Sequence, residues 1–355
     1  MTTYGRGPPR ERRAGRGSAV RDEPPPGARR AAATVNMTND AEVTVAGNAT
    51  NDDVRGTARP VKDPMDKSPK PRRNIILPAR GDGMLLRGTL FRPEADPENI
   101  RGVITIHGAT GRSEKSYEPM ARRFTERGYA VVTYCYRGLE RSGLESDTRN
   151  DVMAMTDWIT QDAPGAMEWA REHFPDVPVY ALGHGAGGHG VLWSGSEGLY
   201  DAAVLVGVGT RGLRAITGLA NRVKLFTLLT IVCPVTAETM GRIPRQPFGF
   251  EVEPPVGVVR QWARWARHRD YFFGDSEYDF AARFARANGR YLSVRILDDQ
   301  WCNQRGSDEI TDRMFGAEVE KRVLEPGDGS IGHAGILAAG NEESWDGFVD
   351  WFEED

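Results

Sequence analysis

The sequence predicts an α/β fold: a mostly parallel sheet covered by helices on both faces, with a helical cap inserted late in the sheet. Short, unbroken apolar runs alternate with segments of helical spacing from Gly102 to Val208 and the runs resume at Tyr291, which is the pattern of parallel strands buried on both faces. One of these runs, Val177-Pro178-Val179-Tyr180-Ala181-Leu182, enters the glycine-rich stretch Gly183-His184-Gly185-Ala186-Gly187-Gly188-His189. That is a sharp turn between a strand and a helix beginning near Ala186. From about Arg211 to Asn288 the alternation stops, and apolar helical stretches, prolines and aromatics take over, as expected of a lid or cap.

Taken in order, residues 1–72 hold Arg, Gly, Pro, Ser, Asn and Asp with almost no apolar clusters. They carry 14 basic and 9 acidic residues and cannot bury enough apolar surface to offset the entropy of ordering. A disordered tail is expected there, and Met37 is an alternative start. The whole chain has net charge −4, so the remainder is acidic, at −9. Nucleic acid is therefore excluded as a partner of the folded part. Cys135, Cys233 and Cys302 are odd in number and scattered, which fits a reducing, cytoplasmic compartment and no zinc site. The longest apolar run, Leu225 to Val235, is broken by Thr227, Thr230 and Pro234 and reads as too short for a membrane span. No cofactor is expected, the partner is a small-molecule substrate, and the oligomeric state is open.

The folded body should start at Arg73 with two strands, Asn74–Leu77 and Leu85–Phe91, around Gly81-Asp82-Gly83. The buried strand Gly102–Ile106 ends in His107-Gly108-Ala109-Thr110-Gly111. A helix over Tyr117–Arg127 is closed by Gly128, and the strand Tyr129–Tyr134 follows. Beyond a helix around Pro164–His173 and the strand into the glycine turn come the strand Ala202–Val208 and the cap. The cap's aromatics (Trp262, Trp265, Tyr271, Phe272, Phe273) read first as its own core. Strands at Tyr291–Leu297 and around Lys321–Leu324, then a helix from Trp345 to Phe352, complete the chain.

The order of parts matters more than any one of them. A glycine-flanked loop follows an early strand, a sharp turn follows a central one, an acidic pair (Asp298-Asp299) follows a late one, and Gly332-His333-Ala334-Gly335 lies near the end. Together with Tyr136-Arg137-Gly138, Trp158 with Asp162, Trp262-Ala263-Arg264-Trp265 and Asp298-Asp299-Gln300-Trp301, this resembles the α/β-hydrolases. More narrowly, it resembles a group of predicted bacterial members with A-T-G, D-Y-R-G, D-D-x-W and G-H-x-G-F motifs. The resemblance implies a nucleophile elbow, G-x-S-x-G, at Gly183–Gly187, with His333 as base and Asp299 or Asp298 as its acid. Asp299 stands in the better register, and Asp328 is a further candidate. It implies oxyanion-hole N–H groups at Ala186 and at Ala109 or Thr110. Three departures stand out: Gly185 occupies the serine position, Cys135 the aspartate of D-Y-R-G, and Ile336-Leu337 the aromatic pair after the histidine turn.

Glycine takes the positive φ of an elbow without steric cost, so the turn should keep its shape and leave a space of about one water, ~30 Å³, beside His333. Neither Ser194, Ser196, His184, Cys135 nor Cys302 makes a convincing replacement nucleophile. The stretch Gly183–Gly188 also satisfies G-x-G-x-x-G, but the next strand ends in Gly209-Thr210 rather than an acid. Three functions remain. In the first, His333 and Asp299 act as a general base on a small, partly apolar molecule, by proton abstraction, elimination or cyclisation, or by activating water toward an ester or lactone. In the second, the protein is an inert binding or scaffold protein that kept the fold. The third is a serine esterase or thioesterase carrying a Ser-to-Gly substitution at 185. The apolar cap residues Leu219, Leu225, Phe226, Leu228 and Leu229 either contact such a molecule or only pack the cap.

Overall fold

The structure, a computed structural model, describes residues 70–246, 248–327 and 329–354. The tail expected over residues 1–72 falls almost wholly outside these, as do Met37 and Asp328. Eight strands form one sheet: β1 (Arg72–Pro78), β2 (Leu85–Phe91), β3 (Val103–His107), β4 (Ala130–Tyr134), β5 (Val179–His184), β6 (Ala202–Val206), β7 (Gly289–Ile296) and β8 (Ala317–Leu324). Their order is β1-β2-β4-β3-β5-β6-β7-β8. The pairs β1/β2 and β2/β4 are antiparallel and all others parallel. The helices are α1 (Glu118–Glu126), α2 (Ala163–His173), α3 (Gly187–Gly195), α4 (Leu219–Met240), α5 (Val256–Arg267), α6 (Phe280–Ala285), α7 (Gln304–Thr311) and α8 (Glu342–Glu353).

The parallel strands are apolar throughout because successive side chains enter two different cores. Val132, Ala181, Ala203 and Leu205 face one core, with Met167 of α2 and Val191 and Leu192 of α3. Ile104, Val131, Leu182 and Val204 face the other, with Phe124 of α1 and Trp345, Phe348 and Phe352 of α8. Burying so many large side chains, at about 1.5–3 kcal/mol each, holds the central strands in register. Strand β5 lies between β3 and β6, pairing Gly183 with His107 and His184 with Val206. The loops after β3, β5, β6 and β7 therefore leave the same edge of the sheet, where open α/β sheets carry their sites.

The Tyr136-Arg137-Gly138 motif builds a buried strut. Arg137 donates its backbone N–H and Nε to the two oxygens of Asp162, at 2.9 and 2.7 Å. Trp158 Nε1 donates to the Arg137 carbonyl, and its ring stacks on Tyr136 at 4.8 Å. The helix ahead of α2 widens into a π turn at Trp158–Asp162, bringing Trp158 and Asp162 to the same loop.

Between β6 and β7 the chain is helical. The apolar run expected to stop at Val235 is part of a 22-residue helix, α4, long and apolar enough by composition to span a membrane, and 28% of its most apolar window is buried. This corrects the sequence reading, which took Pro234 as a break. A π turn at Leu228–Val232, where Cys233 N–H reaches the Leu228 carbonyl, precedes the proline and lets it enter the first turn of the next helical segment. Leu225, Leu228 and Leu229 are buried in the cap, whereas Leu219, Val223, Phe226, Ile231 and Val235 are exposed.

Candidate active site

The turn after β5 has the shape expected of an elbow. Gly185 has φ +54°, its N–H donates to the Val206 carbonyl at 3.0 Å, and its own carbonyl accepts from Gly188 N–H at 3.2 Å. What faces it differs from expectation. A Cβ at 185 would collide with Nη2 of Arg211, would lie 2.8 Å from His333 Nε2 and 3.1 Å from the Ala109 Cβ. The water-sized space is not there: the guanidinium of Arg211, on the loop after β6, fills it. The other elbow glycines are packing positions. A Cβ on Gly187 would strike the His107 carbonyl, and one on Gly188 the Val208 side chain. The G-x-G-x-x-G spacing thus serves helix–strand packing, with protein atoms where phosphates would have to lie.

His333 sits in the single turn Gly332–Gly335. Its Nδ1–H donates to Asp299 Oδ2 at 2.7 Å, and Asp299 Oδ1 accepts the Trp301 N–H, also at 2.7 Å. Asp299 is 2% exposed. Gly207, at φ +57°, makes room for the pair, since a Cβ there would lie 3.0 Å from Asp299 Oδ2 and 3.1 Å from His333 Nδ1. Asp298 points elsewhere: its carboxylate accepts from the Ser330 hydroxyl and the N–H groups of Ile331 and Gly332, so it anchors the loop that carries His333. On the far side of the ring, Arg211 Nη2 donates to His333 Nε2 at 2.6 Å. This network assigns the proton to Nδ1. Burial, and next the Arg211 charge, push the imidazole below its ordinary value against the pull of Asp299, which favours the neutral ring.

A second chain of hydrogen bonds fixes the surrounding loops. Ala109 N–H donates to Tyr117 Oη at 2.7 Å, Tyr117 donates to His184 Nδ1 at 2.9 Å, and His184 Nε2–H donates to the His333 carbonyl at 2.9 Å. The rings of His184 and His333 stack at 4.6 Å. Burial holds His184 far below the usual histidine range. The Ala109 N–H, one of the two alternatives expected for this loop's donor, therefore already has an acceptor. Thr110 and Ala186, by contrast, border the cavity.

The cavity in front of His333 has a volume of about 260 Å³. Arg112, Arg211, Thr110 and Ser330 supply its polar side; Phe248, Phe250, Trp262 and Trp301 supply the apolar one. None of the five apolar residues of α4 named from sequence lines it. The aromatic contacts come instead from the segment before α5, from α5 itself and from the loop after β7. Trp265, Phe272, Phe280 and Phe284 form the cap's own core. Cys302 is buried, its thiol raised to about 12 by burial, and Cys135 is likewise raised and faces Glu114. Both thiols are thus held toward the protonated, less reactive form. Among the described residues no cluster suits a metal ion.

Sequence reasoning missed Arg211, Tyr117 and Arg112. A signal for Arg211 existed: it is the first basic residue after β6, on a loop that opens at the same sheet edge as the elbow. Tyr117 opens the helix expected over Tyr117–Arg127, and nothing in that spacing marks its hydroxyl.

The family described as "Serine aminopeptidase, S33" matches residues 97–226. Solved structures with similar architecture include a thermostable carboxyl esterase from Bacillus coagulans, 13% identical, with TM-score 0.54 over 80% of this chain and 98% of that one. A Pyrococcus furiosus esterase matches at 15% identity and TM-score 0.54, covering 87% and 94%. The α/β-hydrolase GrgF from Penicillium sp. sh18 matches at 16% and 0.51, covering 79% and 98%. The chain has the α/β-hydrolase fold. No curated protein matches its sequence. Within this fold the turn after β5, the His333 turn and the Asp299 loop meet at one point, with the Arg211 guanidinium over Gly185.

Proposed function

We propose that the chain is an enzyme that acts on a small, partly apolar molecule through general-base chemistry by His333 and Asp299, without a serine nucleophile. One observation carries the reading: a guanidinium and a neutral imidazole meet at 2.6 Å at the head of the elbow. Arg211 supplies an electrophile for a carbonyl or carboxylate oxygen. With that oxygen on the guanidinium, His333 Nε2 removes a proton from the adjacent carbon or from a hydroxyl. The electron pair moves onto the oxygen facing Arg211, and Asp299 balances the imidazolium. Return of the proton to another atom gives isomerisation, and departure of a leaving group gives elimination. Activation of a water toward an ester or lactone uses the same two groups. General-base assistance of this kind is worth about 10²–10⁴-fold, with a further contribution from fixed positive charge at the developing anion.

The test is solvent deuterium exchange into a panel of small ketones, acids, esters and lactones. Wild-type protein should label at least one of them, and His333→Ala should lose about 100-fold or more of that rate. Equal labelling by both proteins rejects the reading.

A second reading, an inert binding protein, has its own support: the lone pair of His333 Nε2 is occupied by Arg211. Ligand binding without exchange across the panel favours it. The third, an ordinary serine esterase with a substitution at 185, requires the far end of the Arg211 side chain to move from where a serine Cβ would lie, and fluorophosphonate labelling of Gly185→Ser favours it.

A further inference from the structure

Arg211 is an unusual arginine. It is 6% exposed, and its guanidinium makes one hydrogen bond among the described residues, to an imidazole nitrogen. No carboxylate among those residues lies within ion-pair distance of it; Asp299 balances the charge only through the His333 ring. Its Nε–H has no acceptor, nor do the neighbouring Trp262 Nε1–H and the Tyr271 hydroxyl. All three side chains line the same cavity. A buried charged donor group without a full set of acceptors is costly, so this corner favours an acceptor brought to the Arg211 guanidinium, whose side chain borders the cavity.

The other charged groups at the cavity are already satisfied. Arg112 bonds Glu251 and the Gly249 carbonyl, and Asp298 takes three donors from its own loop. The planar fork of Arg211 suits a carboxylate, and the aromatic wall opposite suits a flat or apolar tail. The volume, about 260 Å³, is at the small end for ligand cavities.

We infer that Arg211, with Trp262 and Tyr271, forms a carboxylate-binding subsite, and that its ligand is a small acid with an aromatic or apolar tail. Resting on the reading of this cavity as the ligand site, the inference adds a gate. A carboxylate that takes the guanidinium withdraws Nη2 from His333, so the base acquires its free lone pair only when an acid is bound.

The full-length protein is titrated with phenylacetate and with phenylacetamide, its uncharged counterpart, following the tryptophan fluorescence to which Trp262 and Trp301 contribute. Saturable binding of the acid, weakened about tenfold or more for the amide and again for Arg211→Gln, is expected, with Arg211→Lys intermediate. In parallel, the His333 ring resonance should titrate at higher pH with phenylacetate bound, because the acid neutralises the adjacent cation. Equal affinity for acid and amide, absence of saturation by the acid, or an unmoved His333 titration would overturn the inference. The acid-against-amide comparison needs no variant and survives a folding defect in Arg211→Gln. Phenylacetate binding with no exchange on any substrate leaves the subsite standing and removes the enzymatic reading. Exchange on neutral substrates without acid binding does the reverse.

Discussion

At the scale of single residues, Gly185 and Arg211 are one feature. The glycine accepts φ +54° at no steric cost, and the missing Cβ is what admits the guanidinium. Gly185→Ser alone should therefore be destabilised, by about 1–3 kcal/mol from backbone strain and crowding, and should resist a fluorophosphonate probe. Gly185→Ser with Arg211→Ala should regain the probe reaction, since the serine then has space and His333 is released. Labelling of the single variant as strongly as the double one contradicts this account; thermal melts and gel fluorescence read both. Which of two adjacent acids meets His333 was open from sequence, because Asp298 and Asp299 differ only in where a loop turns after β7. Their hydrogen bonds separate them, Asp299 to the ring and Asp298 to the loop.

At the scale of elements, the segment before α5 is latched to the loop after β3. Glu251 accepts from Arg112 Nη1 at 2.9 Å and Ser113 N–H at 2.8 Å, and its own N–H donates to the Gly111 carbonyl at 2.7 Å. The Phe250 ring lies against the Gly111 Cα, where a Cβ would not fit. This latch brings Phe248 and Phe250 over the cavity. Glu251→Ala should loosen it, with only a modest cost to global stability because the side chain is partly exposed. Amide hydrogen exchange over residues 110–116 and 248–252 should quicken by about tenfold while the central strands stay unchanged. Uniform exchange in wild type and variant would mean that the latch carries no local stability. None of this was legible in the sequence, because the two segments lie far apart in the chain and the prolines between them mark turns without saying where they land.

At the scale of the whole molecule, the fold was readable because local pattern and global packing agree. Apolar runs became strands and the helical spacings helices, with boundaries shifted by a few residues; β8 starts at Ala317, earlier than expected, on an edge where charged residues weaken the apolar signal. The site's frame was readable through loop order, and its filling was not, since an arginine on a distant loop leaves no periodic trace. The sheet also buries neutral histidines. Burial pushes His107 and His189 down to about 3 and holds His184 well below its ordinary value. The unfolded chain takes up protons near pH 6.5 that the fold refuses until far lower, so stability is full above about pH 7 and falls as pH drops. Asp162, which burial raises to about 7 against the pull of Arg137, works the other way and cancels about one proton. The net expectation is a loss of stability as pH falls from 6 to 4, with His333 adding to it. Denaturant unfolding at pH 7, 6 and 5 measures the slope, and a flat profile would refute it.

The guanidinium lodged over Gly185 also has a consequence for paired substitutions. A serine placed at 185 meets the Arg211 guanidinium, while loss of Arg211 leaves Gly185 facing His333 with no cation between them. The two positions are thus coupled through the space they share, and the effect of Gly185→Ser combined with Arg211→Ala should depart from the sum of the two single effects.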